Sequence, residues 1–134
     1  MEFGGNNWLQ SKWDMARVLC IDDDNVALTL LSGLLESNAH KVLTATNGTD
    51  GTRVAKSARA DVIICDLMMP GMNGYEFCEE IRKFAMTKKT PVILLTGRRT
   101  PLAKRNAVDV GAQYIAKPFN YTELLSLVSE LTLK

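Results

Sequence analysis

The chain has 134 residues, 16 basic against 15 acidic side chains and a formal charge of +1, so it suits one domain with one core and lacks the net field that draws a protein to nucleic acid or an anionic membrane. Its 3 cysteines, Cys20, Cys65 and Cys78, have no metal-ligand spacing and form an odd set, which excludes a disulfide framework and favours a reducing, cytoplasmic setting. No apolar run approaches the roughly 20 residues of a membrane span, and no signal-peptide pattern precedes the first strand.

Residues 1–16 fit neither helical nor strand periodicity and carry Gly4, Gly5, Asn6 and Asn7. They read as an N-terminal extension, disordered or left from expression, ahead of a domain at 17–134, with Trp8 and Trp13 as its unusual feature. Val18 to Ile21 form a first apolar strand, followed at once by Asp22, Asp23 and Asp24. Val26, Leu28, Leu31, Leu34 and Leu35 recur in steps of three and four, the stripe of an amphipathic helix that ends before His40. His40, the only histidine, follows that helix and reads as a solvated surface residue.

Lys41 to Thr46 make a second strand, and a helix runs on to about Ala58, although Gly48 and Gly51 weaken its local propensity. Asp61 to Asp66 is an apolar strand that stops at a lone carboxylate and enters a loop with Pro70, Gly71 and Gly74. Asn73 followed by Glu76 is a capping-box arrangement for a helix bearing Tyr75, Phe77, Cys78 and Ile81. Pro91 opens the strand Val92 to Leu95, which stops at Thr96 and Gly97. Thr100 and Pro101 start a helix with Leu102, Ala103, Ala107 and Val110, ending at Gly111. Tyr114 to Ala116 are a short fifth strand that exits through Lys117 and Pro118. Asn120 and Glu123 begin the last helix, with Leu124, Leu127, Val128 and Leu131 facing inward.

Strands alternating with helices imply an α/β fold, a doubly wound five-stranded parallel sheet with helices on both faces. The flavodoxin-like order 2-1-3-4-5 puts the ends of strands one and three side by side, at the switch point where such sheets bind ligands. Asp22, Asp23 and Asp66 then converge, and strands four and five deliver Thr96 and Lys117 to the same rim. Carboxylates about 4 Å apart repel by about 4 kcal/mol per pair at an effective dielectric near 20, and a divalent cation offsets this. Mg²⁺ suits the set, since it takes one or two carboxylates, waters and a phosphate oxygen. Asp23 and Asp66 are then direct ligands and Asp22 acts through water. Lys117 adds a compact positive charge and Thr96 a hydroxyl, which completes a pocket for a phosphoryl group with Asp66 as nucleophile. Taken singly, each group has a plainer reading: a polar loop with a helix cap for the aspartates, a turn residue for Thr96, a solvated charge for Lys117.

The segments IDDD at Asp22 to Asp24, DLMMPGMNG at Asp66 to Gly74, LLTG ending at Thr96 and Gly97, and YIAKPF from Tyr114 to Phe119 together resemble the receiver domain of two-component response regulators, from about Arg17 to Lys134. The resemblance implies that Asp66 is the phosphoacceptor and that Asp22, Asp23 and the backbone carbonyl of Met68 hold Mg²⁺ with it. It also implies that Lys117 contacts the phosphoryl group and that its bond to Pro118 is cis. Thr96 and Tyr114 become switch residues: the hydroxyl is drawn inward, the ring turns from an exposed to a buried rotamer, and the surface made by the fourth helix, fifth strand and fifth helix changes. The implied partner is a histidine kinase or histidine phosphotransfer protein, with the downstream partner left open and no direct contact with nucleic acid or membrane. The expected role is that of a signalling phosphoacceptor, not an enzyme acting on an external substrate. Tyr114 also fits a static half-buried aromatic. Gly97 and Asn73 depart from the family's commoner alanine and aspartate, and Arg98, Arg99 and Pro101 make the start of the fourth helix basic and stiff.

Two other readings use the same residues. A phosphatase of the haloacid dehalogenase type also begins at a strand-end aspartate with Mg²⁺, and Asp22 with Asp24 mimics its opening motif; no acidic strand end follows Lys117, and there is no insertion for a substrate cap. A receiver-like binding module that never carries phosphate is the other, set against five intact site residues.

Overall fold

A computed structural model describes residues 16–97 and 100–133; Trp8, Trp13, Arg98 and Arg99, singled out above, lie outside them. The described elements alternate as β1 (Arg17–Ile21), α1 (Asn25–Ser37), β2 (Lys41–Ala45), α2 (Gly48–Ala58), β3 (Val62–Asp66), α3 (Gly74–Ile81), β4 (Val92–Thr96), α4 (Pro101–Asp109), β5 (Gln113–Ala116) and α5 (Tyr121–Thr132). The strands form one parallel sheet in the order β2-β1-β3-β4-β5. Fold class and strand order agree with the sequence expectation.

Period-two alternation in the central strands sorts side chains to two cores. Val18, Cys20, Val62, Ile64, Ile93 and Leu95 pack with Leu28 and Leu35 of α1 and with Leu124 and Val128 of α5. Leu19, Ile21, Ile63, Cys65 and Leu94 face the other way, onto Ala55 of α2, Phe77 and Ile81 of α3 and Ala107 of α4. β3 and β4 are therefore apolar on both faces, as strands covered by helices on each side must be.

The helix starts are set locally. The Asp24 carboxylate accepts from the N–H groups of Val26 at 2.9 Å and Ala27 at 3.4 Å. Asn73 and Glu76 exchange 2.9 Å bonds in a complete capping box. Thr100 Oγ1 accepts from Ala103 at 3.1 Å, with Pro101 at the first helical position. The glycine that weakens α2 by propensity is favoured by packing: a Cβ on Gly51 would lie 2.5 Å from Cδ1 of Ile21, so that buried core side chain would have to shift. Close approach of α2 to β1 overrides propensity there.

Three expectations are corrected. His40 is not a solvated residue: it is buried, and its Nδ1 accepts from the Ala16 N–H at 3.3 Å. The chain turns sharply at Ala39, φ 69°, and Lys41 pairs with Ala16 by a 2.9 Å backbone bond, so the imidazole is carried under the start of β1. Val26, assigned to the inward stripe of α1, is 68% exposed, and Leu102 of α4 is 64% exposed. Both lie in the first turn of their helices, and Leu28 and Ala103 close by are buried in their place, so Val26 and Leu102 fall off the inward face.

Candidate functional site

Register brings the site together. Ile21 pairs with Cys65, so the next residue on each strand, Asp22 and Asp66, leaves the sheet at the same level. Asp66 pairs with Leu95, and Thr96 with Ala116, which sets Thr96 and Lys117 on the same edge, one and two strands further along. The backbone fixes the rim: Asp22 N–H donates to the Ala45 carbonyl at 3.2 Å, Leu67 N–H to Leu95 at 2.9 Å, and Lys117 N–H to Thr96 at 2.6 Å. The Lys117–Pro118 bond is cis.

The carboxylates of Asp22, Asp23 and Asp66 can each offer an oxygen such that all three lie within 4.8 Å of one another. Lys117 Nζ donates to Asp66 Oδ1 at 3.0 Å. Asp22 is buried and Asp23 exposed, while Thr96 is fully buried and Tyr114 half-buried against the core that holds Phe77 and Ala107. Burial raises the Asp22 carboxyl above its ordinary range, and the charges of Asp66 and Asp23 push the same way. The Asp24 N–H, bonded to Asp22 Oδ1 at 2.9 Å, and the Lys117 charge act in the opposite sense without cancelling the rise.

At 4.8 Å separation each carboxylate pair repels by roughly 3 to 4 kcal/mol at an effective dielectric near 20. Among the described residues, the Lys117 ammonium alone cannot balance three carboxylates. The donor set is all oxygen, dense in charge and open on the Asp23 side, which fits a hard divalent cation that keeps part of its water shell. Met68, two residues beyond Asp66, is largely exposed.

The other side of the opening is apolar. A groove of about 200 Å³ runs from Asp22 and Lys117 along Ala27, Leu30 and Leu31 of α1 to Phe119 and Tyr121. The Phe119 and Tyr121 rings meet edge to face with centroids 5.6 Å apart. Sequence reasoning missed this rim; the signal was Leu30, an apolar residue off the inward stripe of α1. It read Gly74 only as a turn residue; a Cβ there would meet Leu94 Cδ2 at 2.9 Å, Leu67 Cα at 3.0 Å and the Asp66 carbonyl at 3.1 Å, so a methyl group at the start of α3 would have to displace its neighbours beside the lone aspartate.

The cysteines take no part. Burial pushes Cys20 and Cys78 up to about 12, and Cys65 well above its ordinary value. They are core thiols, held away from the nucleophilic thiolate form.

Residues 18–129 match the response regulator receiver domain. The chain is 35% identical over 116 residues to protein PilH of Pseudomonas aeruginosa, covering 86% of this chain and 96% of PilH. It is 37% identical over 105 residues to the transcriptional regulatory protein AfsQ1 of Streptomyces coelicolor, 78% of this chain but only 45% of that longer protein. Among solved structures, the chemotaxis protein CheY4 of Vibrio cholerae superposes with a TM-score of 0.82 at 36% identity over 87% of this chain and 98% of that one. The receiver domain of the sensor histidine kinase PA1611 of Pseudomonas aeruginosa, described with a magnesium ion coordinated in its active site cleft, gives a TM-score of 0.81 at 28% identity, over 88% and 98% of the two chains. With the sheet order, the strand-end aspartates and these matches together, the chain belongs to the receiver domain family of two-component response regulators.

Proposed function

We propose that this receiver accepts a phosphoryl group on Asp66 from the phosphohistidine of a histidine kinase or histidine phosphotransfer protein. The observation that carries the reading is the meeting at one sheet edge of three carboxylates within 4.8 Å and an ammonium 3.0 Å from Asp66. In the step, an Asp66 oxygen forms a bond to phosphorus as the phosphorus–nitrogen bond to the donor imidazole breaks, and the electron pair leaves with that nitrogen. Asp22, Asp23, Asp66 and the Met68 carbonyl would hold Mg²⁺, which supplies positive charge against the developing phosphoryl oxygens. The PA1611 receiver, with its magnesium ion, supports that assignment by similarity.

Lys117 transfers its contact from the Asp66 carboxylate to the new phosphoryl group, whose oxygens carry more charge. Thr96 donates its hydroxyl from the neighbouring strand end, and the vacated space admits the Tyr114 ring. The phosphoryl group moves this equilibrium only as far as its contacts differ between the two states. A donor protein must cover the opening to bring its histidine in line. Val26, Leu30, Met68 and Tyr121, each more than half exposed, are the apolar groups it would bury.

Intact-mass measurement after incubation with Mg²⁺ and acetyl phosphate tests the reading. Wild type gains one acid-stable, base-labile phosphate, and Asp66→Asn gains none. Equal labelling of the variant would remove Asp66 from the role.

A further inference from the structure

We propose that the Tyr75 hydroxyl is a latch that holds α4 in its unphosphorylated position and ties that position to the loop that follows Asp66. This rests on the phosphoacceptor reading above and adds a positioning residue to it. α4 has little apolar surface to hold it: its buried residues are Ala103 and Ala107, while Leu102 and Val108 are exposed. Small side chains anchor weakly, since burial is stabilising in proportion to area. Its first turn is fixed instead through the peptide groups of Ala103. The N–H goes to Thr100 Oγ1 at 3.1 Å, a bond within the helix start. The carbonyl accepts from the Tyr75 hydroxyl, also at 3.1 Å, and that bond reaches back to α3.

Tyr75 cannot follow α4 if the helix shifts. Its neighbour Gly74 donates its N–H to the Leu67 carbonyl at 2.9 Å and sits too close to the Asp66 carbonyl and Leu67 Cα to admit even a methyl group without displacement. The Tyr75 ring packs against the core shared with Phe77 and Ala107. A continuous set of tight contacts therefore runs from Asp66 through Gly74 and Tyr75 to the Ala103 carbonyl. Thr96 ends β4, and Thr100, the cap of α4, follows shortly after in the chain. Movement of Thr96 toward a phosphoryl group pulls on the same first turn that Tyr75 holds. Switching then breaks the Tyr75–Ala103 bond, and by linkage the bond lowers affinity for any group that favours the switched state.

Tyr75→Phe removes the hydroxyl and keeps the ring. Calorimetric titration with beryllofluoride and Mg²⁺, a phosphoryl mimic, should show the variant binding roughly threefold to tenfold more tightly than wild type, the factor set by one neutral hydrogen bond. Amide hydrogen exchange across α4 should be faster in the ligand-free variant, at a melting temperature within about 4 °C of wild type. Equal or weaker binding by a folded variant overturns the latch alone. Absence of beryllofluoride binding by wild type overturns the latch and the phosphoacceptor reading together. A measurement on wild type removes any dependence on the variant folding: beryllofluoride should reduce exchange protection in the first turn of α4, and unchanged protection there overturns the latch.

Discussion

Asp22 shows what the site costs the fold in the absence of a cation. Its carboxyl is raised above the ordinary value, chiefly by burial, so the folded state holds its proton more tightly than the unfolded chain does. Stability is then fullest below the unfolded value, falls as pH rises through the raised folded value, and stays lower above it. Asp22→Asn removes the charge and keeps an oxygen for the Asp24 N–H. In metal-free buffer at pH 7 the variant should melt about 3 °C higher, corresponding to about 1 kcal/mol. The gain should vanish below about pH 4, where ordinary aspartate is protonated, and Mg²⁺ should raise the melting temperature of wild type more than that of the variant. A lower melting temperature for the variant at pH 7 without Mg²⁺ would show that the carboxylate stabilises the fold. Lys117 gives a second test. Its side chain is 37% exposed and its charge is screened by solvent, so Lys117→Ala should fold and bind Mg²⁺ while losing the hydrogen-exchange response of α4, β5 and α5 to beryllofluoride. Loss of folding would instead make the lysine structural.

Residues of this kind were legible in sequence because a polar group that ends a buried apolar strand must emerge at the edge of the sheet. His40 was not, since its burial depends on where the turn at Ala39 directs it and on Ala16, just before β1, meeting it. Val26 and Leu102 misled because an apolar residue near the inward stripe need not lie on it: Leu28 and Ala103, close by, take the buried positions.

At the scale of elements, helix starts were readable from Asp24, Asn73, Thr100 and Asn120, because a cap is a local hydrogen bond between neighbours in the chain. Close packing was not, and Gly51 counted against α2 by propensity although a side chain there would press on Ile21. Gly74 sets two effects against each other. Alanine gains up to about 1 kcal/mol of helix propensity, but its methyl meets backbone atoms of Asp66 and Leu67 that cannot swing aside, and overpacking costs typically 1 to 3 kcal/mol, roughly. Gly74→Ala should therefore lower stability by about 1 kcal/mol or more in a chemical denaturation curve. An unchanged or higher midpoint would show that the start of α3 is looser than its contacts imply.

For the molecule as a whole, the order β2-β1-β3-β4-β5 explains why residues far apart in sequence meet. The first and third strands are neighbours, so the acidic triplet and the mid-chain aspartate leave the sheet together, and β4 and β5 add a hydroxyl and an ammonium in succession. That much follows from the alternation of elements and the handedness of crossovers. The exposed groove beside Asp22 and the Tyr75–Ala103 bond do not, since both depend on how helices settle on the sheet. The central claim is that Asp66 carries the phosphoryl group, and borohydride trapping tests it most directly, because hydride converts an aspartyl phosphate to homoserine at the residue that bore it. After incubation with Mg²⁺ and acetyl phosphate, peptide mapping should find homoserine at position 66 and at no other aspartate; homoserine at Asp22 or Asp23, or none anywhere, would contradict the account.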